Sequence, residues 1–176
     1  MTDRDELART IYERSRLTGE FVLRSGTTST EYFDKYLFES DPELLRRIAE
    51  ALVPLLPGDT EALAGLELGG VPIATMLSQV TGLPALFVRK DAKTYGTCRL
   101  AEGGDVAGRR LTVVEDVVTS GGQVIASCRD LRERGATVEH AVCVIDRGSG
   151  GPEGLADIGV ELRALYTMKE LEAAAR

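Results

Sequence analysis

The chain has 176 residues, of which 43% are hydrophobic and 28% charged, with a formal net charge of −7. That size suits one domain able to bury its own core, and the composition excludes collagen-like, disordered and membrane classes. The negative balance argues against nucleic acid as a partner, since a polyanionic duplex would be repelled, but a small anion can still bind a locally basic pocket. Cys98, Cys128 and Cys143 are odd in number and have no CxxC spacing, which points away from a disulfide framework and toward a reducing cytoplasm. The opening MTDRDELARTIYER is studded with charge where a secretory signal needs an apolar run. No stretch approaches the ~18 apolar residues of a membrane span, so no membrane association is expected.

In chain order, Leu7 and Ile11 mark a short amphipathic helix over 5–16. Residues 21–38, rich in hydroxyls and aromatics with a break at Ser25 and Gly26, read as strand, turn, strand. A helix then opens in one of two ways. Either Asp41 caps it with Pro42 at the first helical position, or Ser40 and Glu43 form a capping box. Leu44, Leu45, Ile48, Leu52 and Leu55 carry its apolar face to about Leu56.

From residue 62 short apolar runs alternate with helical segments: ALAGLEL, 72–81, PALFV, LTVVE, 123–134 and TVEHAVCVI. That alternation predicts crossover units, a mostly parallel sheet and helices on its faces. Gly135 fits a helix C-cap before the strand over 137–145. A strand at 160–166 and a helix opened by Thr167, with Glu170 three residues on, complete the chain. Only 89–110 reads as a long polar loop, a length usually reserved for function or disorder.

The segment LTVVEDVVTSGG, 111–122, has the richest chemistry. A buried-looking strand ends in Glu115 and Asp116, and a turn with Thr119, Ser120, Gly121 and Gly122 leads into a helix. Converging N–H groups, hydroxyls and a helix N-terminus suit a phosphate. Carboxylates just outside the strand end suit sugar hydroxyls, a magnesium ion or a developing cation. The plain alternative is a solvated turn with a threonine cap. LELGGVPIA, 66–74, is a second glycine turn before a helix and reads equally well as a tight turn. Arg89, Lys90 and Lys93 cluster in an acidic chain, as a polyphosphate site or a solvated loop would have them. Arg147 can meet a planar anion with paired hydrogen bonds, or simply pair with Asp146. Walker A, GxGxxG and GxSxG patterns are absent, and the one histidine, His140, lies inside an apparent strand as a structural residue.

VVEDVVTSGG at 113–122 resembles the phosphoribosyl diphosphate (PRPP) motif of type I phosphoribosyltransferases. LRSGTTSTEYFD at 23–34, LGGVPIA at 68–74, VRKDAKTYG at 88–96 and IDRGSGG at 145–151 resemble, in the same order, segments of orotate phosphoribosyltransferases. EYFDKYLF and the Tyr-Gly loop look most like a short subgroup known from archaea. The resemblance implies a type I phosphoribosyltransferase fold over 1–176, an α/β domain with a mostly parallel central sheet and helices on both faces. Residues 1–40 would form a small N-terminal hood and 89–110 a mobile catalytic loop.

It further implies transfer of the phosphoribosyl group from PRPP to orotate. A purine phosphoribosyltransferase or a non-catalytic PRPP-sensing regulator are the alternatives. Glu115, Asp116, Val117, Val118, Thr119, Ser120, Gly121, Gly122 and Gln123 would hold the ribose and its 5′-phosphate, with Leu68 and Gly69 against the diphosphate. Arg89, Lys90, Lys93 and Tyr95 would belong to the closing loop. Lys93, Glu115 and Asp116 would be catalytic, and Arg24 would lie near both ligands. Tyr32, Phe33, Thr119 and Arg147 would contact orotate. Mg²⁺ would be held mainly by the diphosphate near Glu115 and Asp116, without a direct protein ligand. A homodimer with shared active sites is implied as well. Tyr95 stands in place of a loop histidine, and Gly69 in place of a lysine found in some relatives.

Overall fold

A computed structural model describes residues 3–23, 25–92, 94 and 99–176. Its organising element is a six-stranded sheet in the order β5-β4-β3-β6-β7-β8. Strands β3 (Ala62–Leu66), β4 (Ala85–Val88), β6 (Arg110–Val118), β7 (Thr137–Asp146) and β8 (Glu161–Thr167) run parallel, and the two-residue β5 (Ala101–Glu102) runs antiparallel to β4. The strands read as near-continuous apolar runs because both faces are covered, as parallel sheets require.

Successive residues of β6 point to opposite faces, so Val113 and Val114 enter different cores. On one side Val114 joins Leu63 and Val142 beneath Ile11 of α1 (Asp3–Ser15), Ile48 and Leu52 of α3 (Pro42–Leu52), and Ile73 and Leu77 of α4 (Gly70–Thr81). On the other, Val113, Val138 and Cys143 pack under Cys128 and Leu131 of α5 (Gly122–Glu133) and Leu155 of α6 (Gly151–Ala156). Burial drives the Cys128 thiol up to about 11 and the Cys143 thiol upward too, so both remain protonated core groups.

Several expectations hold with small shifts. Asp41 rather than Ser40 caps α3, its side chain accepting from the N–H groups of Glu43 and Leu44. Thr167 and Glu170 form the full capping box of α7 (Met168–Ala174). Gly135 follows the C-cap of α5 at φ +87°, a conformation natural to glycine. His140 sits in β7 with Nε2 3.4 Å from Glu161 Oε2, a structural place.

Others are corrected. The hairpin spans β1 (Arg16–Val22) and β2 (Thr28–Phe33) rather than 21–38, since β1 is exposed along most of its length and lacks the apolar alternation that marks a strand. Residues after Asp34 turn into a one-turn helix, α2 (Tyr36–Glu39), because the Asp34 side chain accepts from the Tyr36 N–H and Phe38 swings into the core. Helix α3 ends at Leu52, short of Leu56, and finishes as a 3₁₀ turn at Val53–Leu55, where Pro54 lacks the N–H that the helix needs. The polar stretch 89–110 contains β5, and α6 arises in the glycine-rich stretch after β7 where no helix was expected.

The N-terminal elements stand against the sheet's end. Arg4 donates to the Leu165 carbonyl at 2.7 Å, and the Tyr166 hydroxyl donates to the Arg4 carbonyl at 2.8 Å, which ties α1 to β8. Among the described residues no helix is long and apolar enough to cross a membrane.

The turn between β3 and α4 lies directly on β6. A Cβ on Gly70 would sit 2.2 Å from the Val114 carbonyl oxygen, a backbone atom with no room to retreat. Gly70→Ala is therefore expected to lower stability by about 1–3 kcal/mol, the range for overpacking a fitted site, read from the urea unfolding midpoint.

Candidate active site

The strand order reverses direction at β3 and β6. The chain leaves β3 outward to β4, and leaves β6 in the opposite sense to β7 and β8. A crevice at the carboxyl ends of such a pair is the ligand site of open α/β sheets. The turn after β3 (67–69) and the turn after β6 (119–121) border it.

Both acids of the pair lie within β6 rather than beyond its end, because the strand continues through Val117 and Val118 in register with Ile145 and Asp146. Asp116 is fully buried, and its Oδ2 is 2.6 Å from the Lys35 ammonium. Its Oδ1 accepts from the Val117 N–H at 2.5 Å, while Glu115 Oε1 accepts from the Asp116 N–H at 3.0 Å. Gly69 is the other wall of this pocket: a Cβ there would come 1.7 Å from Asp116 Oδ2. Hence no side chain, and no lysine in particular, fits at position 69 unless Asp116 moves.

Beneath the pair is a third acid, Glu39. It is 6% exposed, and neither of its carboxyl oxygens has a hydrogen-bond partner among the described residues. Burial, and then the neighbouring Asp116, raise its pKa to about 9. Burial and Asp116 likewise push Glu115 well above the usual carboxyl range. Burial also works to raise Asp116, but Glu39, Lys35 and Glu115 around it prevail and hold it below its ordinary value. Of the three carboxyl groups Asp116 is the one whose ionised form is favoured, with Lys35 as its counter-ion. Burial opposes the Lys35 charge, yet Asp116 more than offsets it and the ammonium's pKa is raised.

Thr119 and Ser120 are exposed, Gly121 takes φ +77°, and Gly122 begins α5, so the turn presents free N–H groups and hydroxyls at a helix N-terminus. Gln123 is exposed on the first turn, its amide donating to Ser127 Oγ at 3.3 Å. Beside this turn opens a cavity of about 420 Å³, lined among others by Tyr32, Phe33, Lys35, Tyr36, Val117, Thr119 and Arg147. The structure thus brings together Tyr32, Phe33, Thr119 and Arg147 of the residues expected at the base, while Arg24 lies outside the described residues. Arg147 makes no ion pair with Asp146, whose Oδ1 accepts from the Gly148 N–H at 2.9 Å; its guanidinium lies 5.9 Å from the Phe33 ring. The surface-pair alternative for Arg147 is thereby removed.

Arg89 is not in this cavity. Its Nε is 3.3 Å from Glu102 Oε1, and it borders a smaller groove of about 160 Å³ with the exposed Leu68. The Lys90 N–H donates to Glu67 Oε1 at 2.5 Å, which links the start of the loop to the β3–α4 turn. Arg24, Lys93 and Tyr95 lie outside the described residues. Lys35 and Glu39 escaped the sequence reading because the stretch was assigned to a strand. Their four-residue spacing places them on one face of a helical turn, and that signal was available. No group of three His, Cys, Asp or Glu side chains is arranged to hold a metal ion among the described residues, and Asp116 Oδ2, Asp116 Oδ1 and Glu115 Oε1 already meet Lys35 and backbone N–H groups. That donor set fits a magnesium ion whose ligands come chiefly from a diphosphate.

Comparison with known proteins decides the family. The phosphoribosyl transferase domain model matches residues 40–159. An orotate phosphoribosyltransferase of Nocardioides sp. is 62% identical over 159 residues, covering 90% of this chain and 89% of the relative. The chain belongs to the orotate phosphoribosyltransferases. The crystal structure of the Mycobacterium tuberculosis H37Rv orotate phosphoribosyltransferase with Fe(III) dicitrate superposes with a TM-score of 0.88 at 31% identity, covering 97% of this chain and 99% of that one. The same enzyme in complex with PRPP gives 0.83 at 28% identity, covering 97% and 99%. The type I phosphoribosyltransferase architecture read from the motifs is therefore the observed one.

The Glu39 carboxyl is protonated in the native state and ionises in the unfolded chain from its ordinary value of 4.5 upward. The stability it contributes is complete at low pH and drains as pH rises toward about 9. Glu39→Gln removes that titration, so the variant should gain stability relative to the parent between roughly pH 5 and pH 8, followed by urea unfolding at each pH. Parallel curves for the two proteins would mean that Glu39 ionises normally.

Proposed function

We infer that this protein transfers the 5-phosphoribosyl group from PRPP to orotate, giving orotidine 5′-monophosphate and diphosphate for pyrimidine nucleotide synthesis. The observation that carries the reading is the convergence of the Glu115–Asp116 pair, the 119–122 turn and the aromatic cavity with Arg147 at one sheet crevice. The 62% identity to a named orotate phosphoribosyltransferase supports the choice of base.

The residues divide the work by charge. Thr119, Ser120 and the N–H groups of Gly121, Gly122 and Gln123 suit the 5′-phosphate. As the bond from ribose C1 to the diphosphate oxygen breaks, positive charge develops on the ring while a ring nitrogen of orotate closes on C1. Asp116, the one carboxylate held ionised, suits the ribose hydroxyls and that developing charge. Glu115 favours its protonated form and suits a hydrogen-bonding role. Mg²⁺ would arrive with the diphosphate, whose charge it neutralises. Tyr32 and Phe33 offer apolar faces to a planar base, and Arg147 a fork for its carboxylate. Arg89, Lys90, Lys93 and Tyr95, with Leu68 and Gly69 below them, are assigned to the diphosphate, and Arg24 to the border between the two ligands. Closure of the loop from 89 onward would exclude water, the competing nucleophile. A homodimer with shared sites, working in the cytoplasm, completes the reading.

Absorbance assays offering orotate, hypoxanthine, guanine and xanthine separately test the assignment, and turnover of a purine without orotate would overturn it. PRPP binding without turnover of any base would favour a regulator. Arg147→Lys is expected to weaken orotate binding by about 1.5–3 kcal/mol while PRPP affinity stays nearly intact, measured by calorimetric titration. Equal losses for both ligands would remove Arg147 from base recognition.

If Lys93 acts across a dimer, Lys93→Ala should lower turnover by roughly 10²-fold. Mixing Lys93→Ala subunits with Asp116→Asn subunits should then restore part of the activity. Failure to recover after verified subunit exchange would refute the shared site.

A further inference from the structure

Three carboxyl groups meet at the floor of the crevice, and among the described residues the one cation in an ion pair with them is Lys35. Asp116 is wholly buried and Glu39 is 6% exposed, an arrangement that costs stability unless the charge is reduced to one and paired. A fold needing only stability would place apolar side chains here. The Lys35 side chain is 34% exposed, so a single ammonium touches the buried Asp116 Oδ2 at 2.6 Å and also lines the cavity with Tyr32, Phe33 and Arg147. Helix α2 fixes both partners: Lys35 precedes its first turn, Glu39 ends it, and the buried Phe38 anchors it in the core.

We propose that Lys35 is a positioning residue for phosphoribosyl transfer, fixing the buried Asp116 carboxylate through its 2.6 Å contact, with the buried Glu39 at the other end of the same helical turn. The proposal rests on the transferase reading above and extends it to residues of the α2 turn. The groups facing Asp116 are Lys35 and Glu39 from that turn, Glu115 from β6 and the buried Cys143 thiol of β7, while Tyr36 lies against the Lys35 ammonium. Gly69 and Gly70, which close the remaining side, contribute no titratable group. Without Lys35 the carboxylate loses its one cationic contact among the described residues, and the Asp116 carboxyl should take up its proton at higher pH.

Lys35→Met is expected to lower kcat/KM for PRPP by about 10-fold or more at neutral pH and to move the acid limb of its pH profile upward by about one unit. Lys35→Arg, which keeps the charge, should restore most of both. A double-mutant cycle isolates the route: in an Asp116→Asn background the same Lys35→Met change should alter PRPP affinity by less than about threefold, since its target charge is gone. That neutral pair also remains measurable if Lys35→Met alone fails to fold. An unmoved acid limb, no rescue by arginine, or equal losses in both backgrounds would overturn the proposal. Because PRPP affinity is read alongside turnover, the result stands apart from which base the protein uses. If orotate is not turned over while PRPP affinity follows the cycle, the base assignment fails and the role of Lys35 survives.

Discussion

The close approach of the β3–α4 turn to β6 is the constraint on which the site depends. At Gly70 the backbone of the turn rests against the Val114 carbonyl, and at Gly69 it faces Asp116 with no space for a Cβ. Gly65, in β3 four residues before Gly69, allows the turn to fold back, since a Cβ there would meet the Gly70 carbonyl oxygen at 2.7 Å. Three glycines within six residues thus trade side-chain packing for backbone proximity. The result sets the β3–α4 turn directly beside the acid pair of β6.

That proximity also explains the electrostatics. A turn pressed onto the end of β6 excludes water from Asp116, and α2 seals it from the other side. In such a place an unpaired carboxylate is untenable, so the protein either protonates its acids or supplies a cation. It does both: Glu39 and Glu115 move toward the neutral form, while Lys35 compensates Asp116.

Much of this was legible in the sequence. The parallel sheet, its helices and the acid-hydroxyl-glycine segment after β6 could be read because apolar runs and glycine turns are local signals. What escaped was set by tertiary contact. The hairpin β1–β2 has too little buried surface to impress a period on its sequence, and α2 is a single turn whose register depends on Phe38 reaching the core. Helix α6 follows two left-handed glycines, Gly148 and Gly150, in a stretch that composition alone marks as loop. In the site, Arg147 could be singled out by residue type, and Tyr32 and Phe33 through the family resemblance. Lys35 and Glu39 were missed because their importance lies in facing Asp116, a residue some eighty positions away in sequence.

A chain with net charge −7 must nevertheless attract a substrate with two phosphate-bearing ends, and the distribution of charge resolves the conflict. At physiological ionic strength, surface charges beyond about 8 Å are largely screened, so the acids on α1, α3 and the outer loops matter little to a ligand in the crevice. Local charge decides instead. Within the cavity Lys35 is already committed to Asp116, and Arg89 lies against Glu102. That leaves Arg147, which has no acidic partner among the described residues, to attract an anionic base. For a phosphate, the 119–122 turn at the start of α5 offers oriented N–H groups. Backbone donors at a helix N-terminus bind an anion without needing a full positive charge, which lets an acidic protein hold a phosphate while keeping its cations for the parts of the substrate that change during reaction.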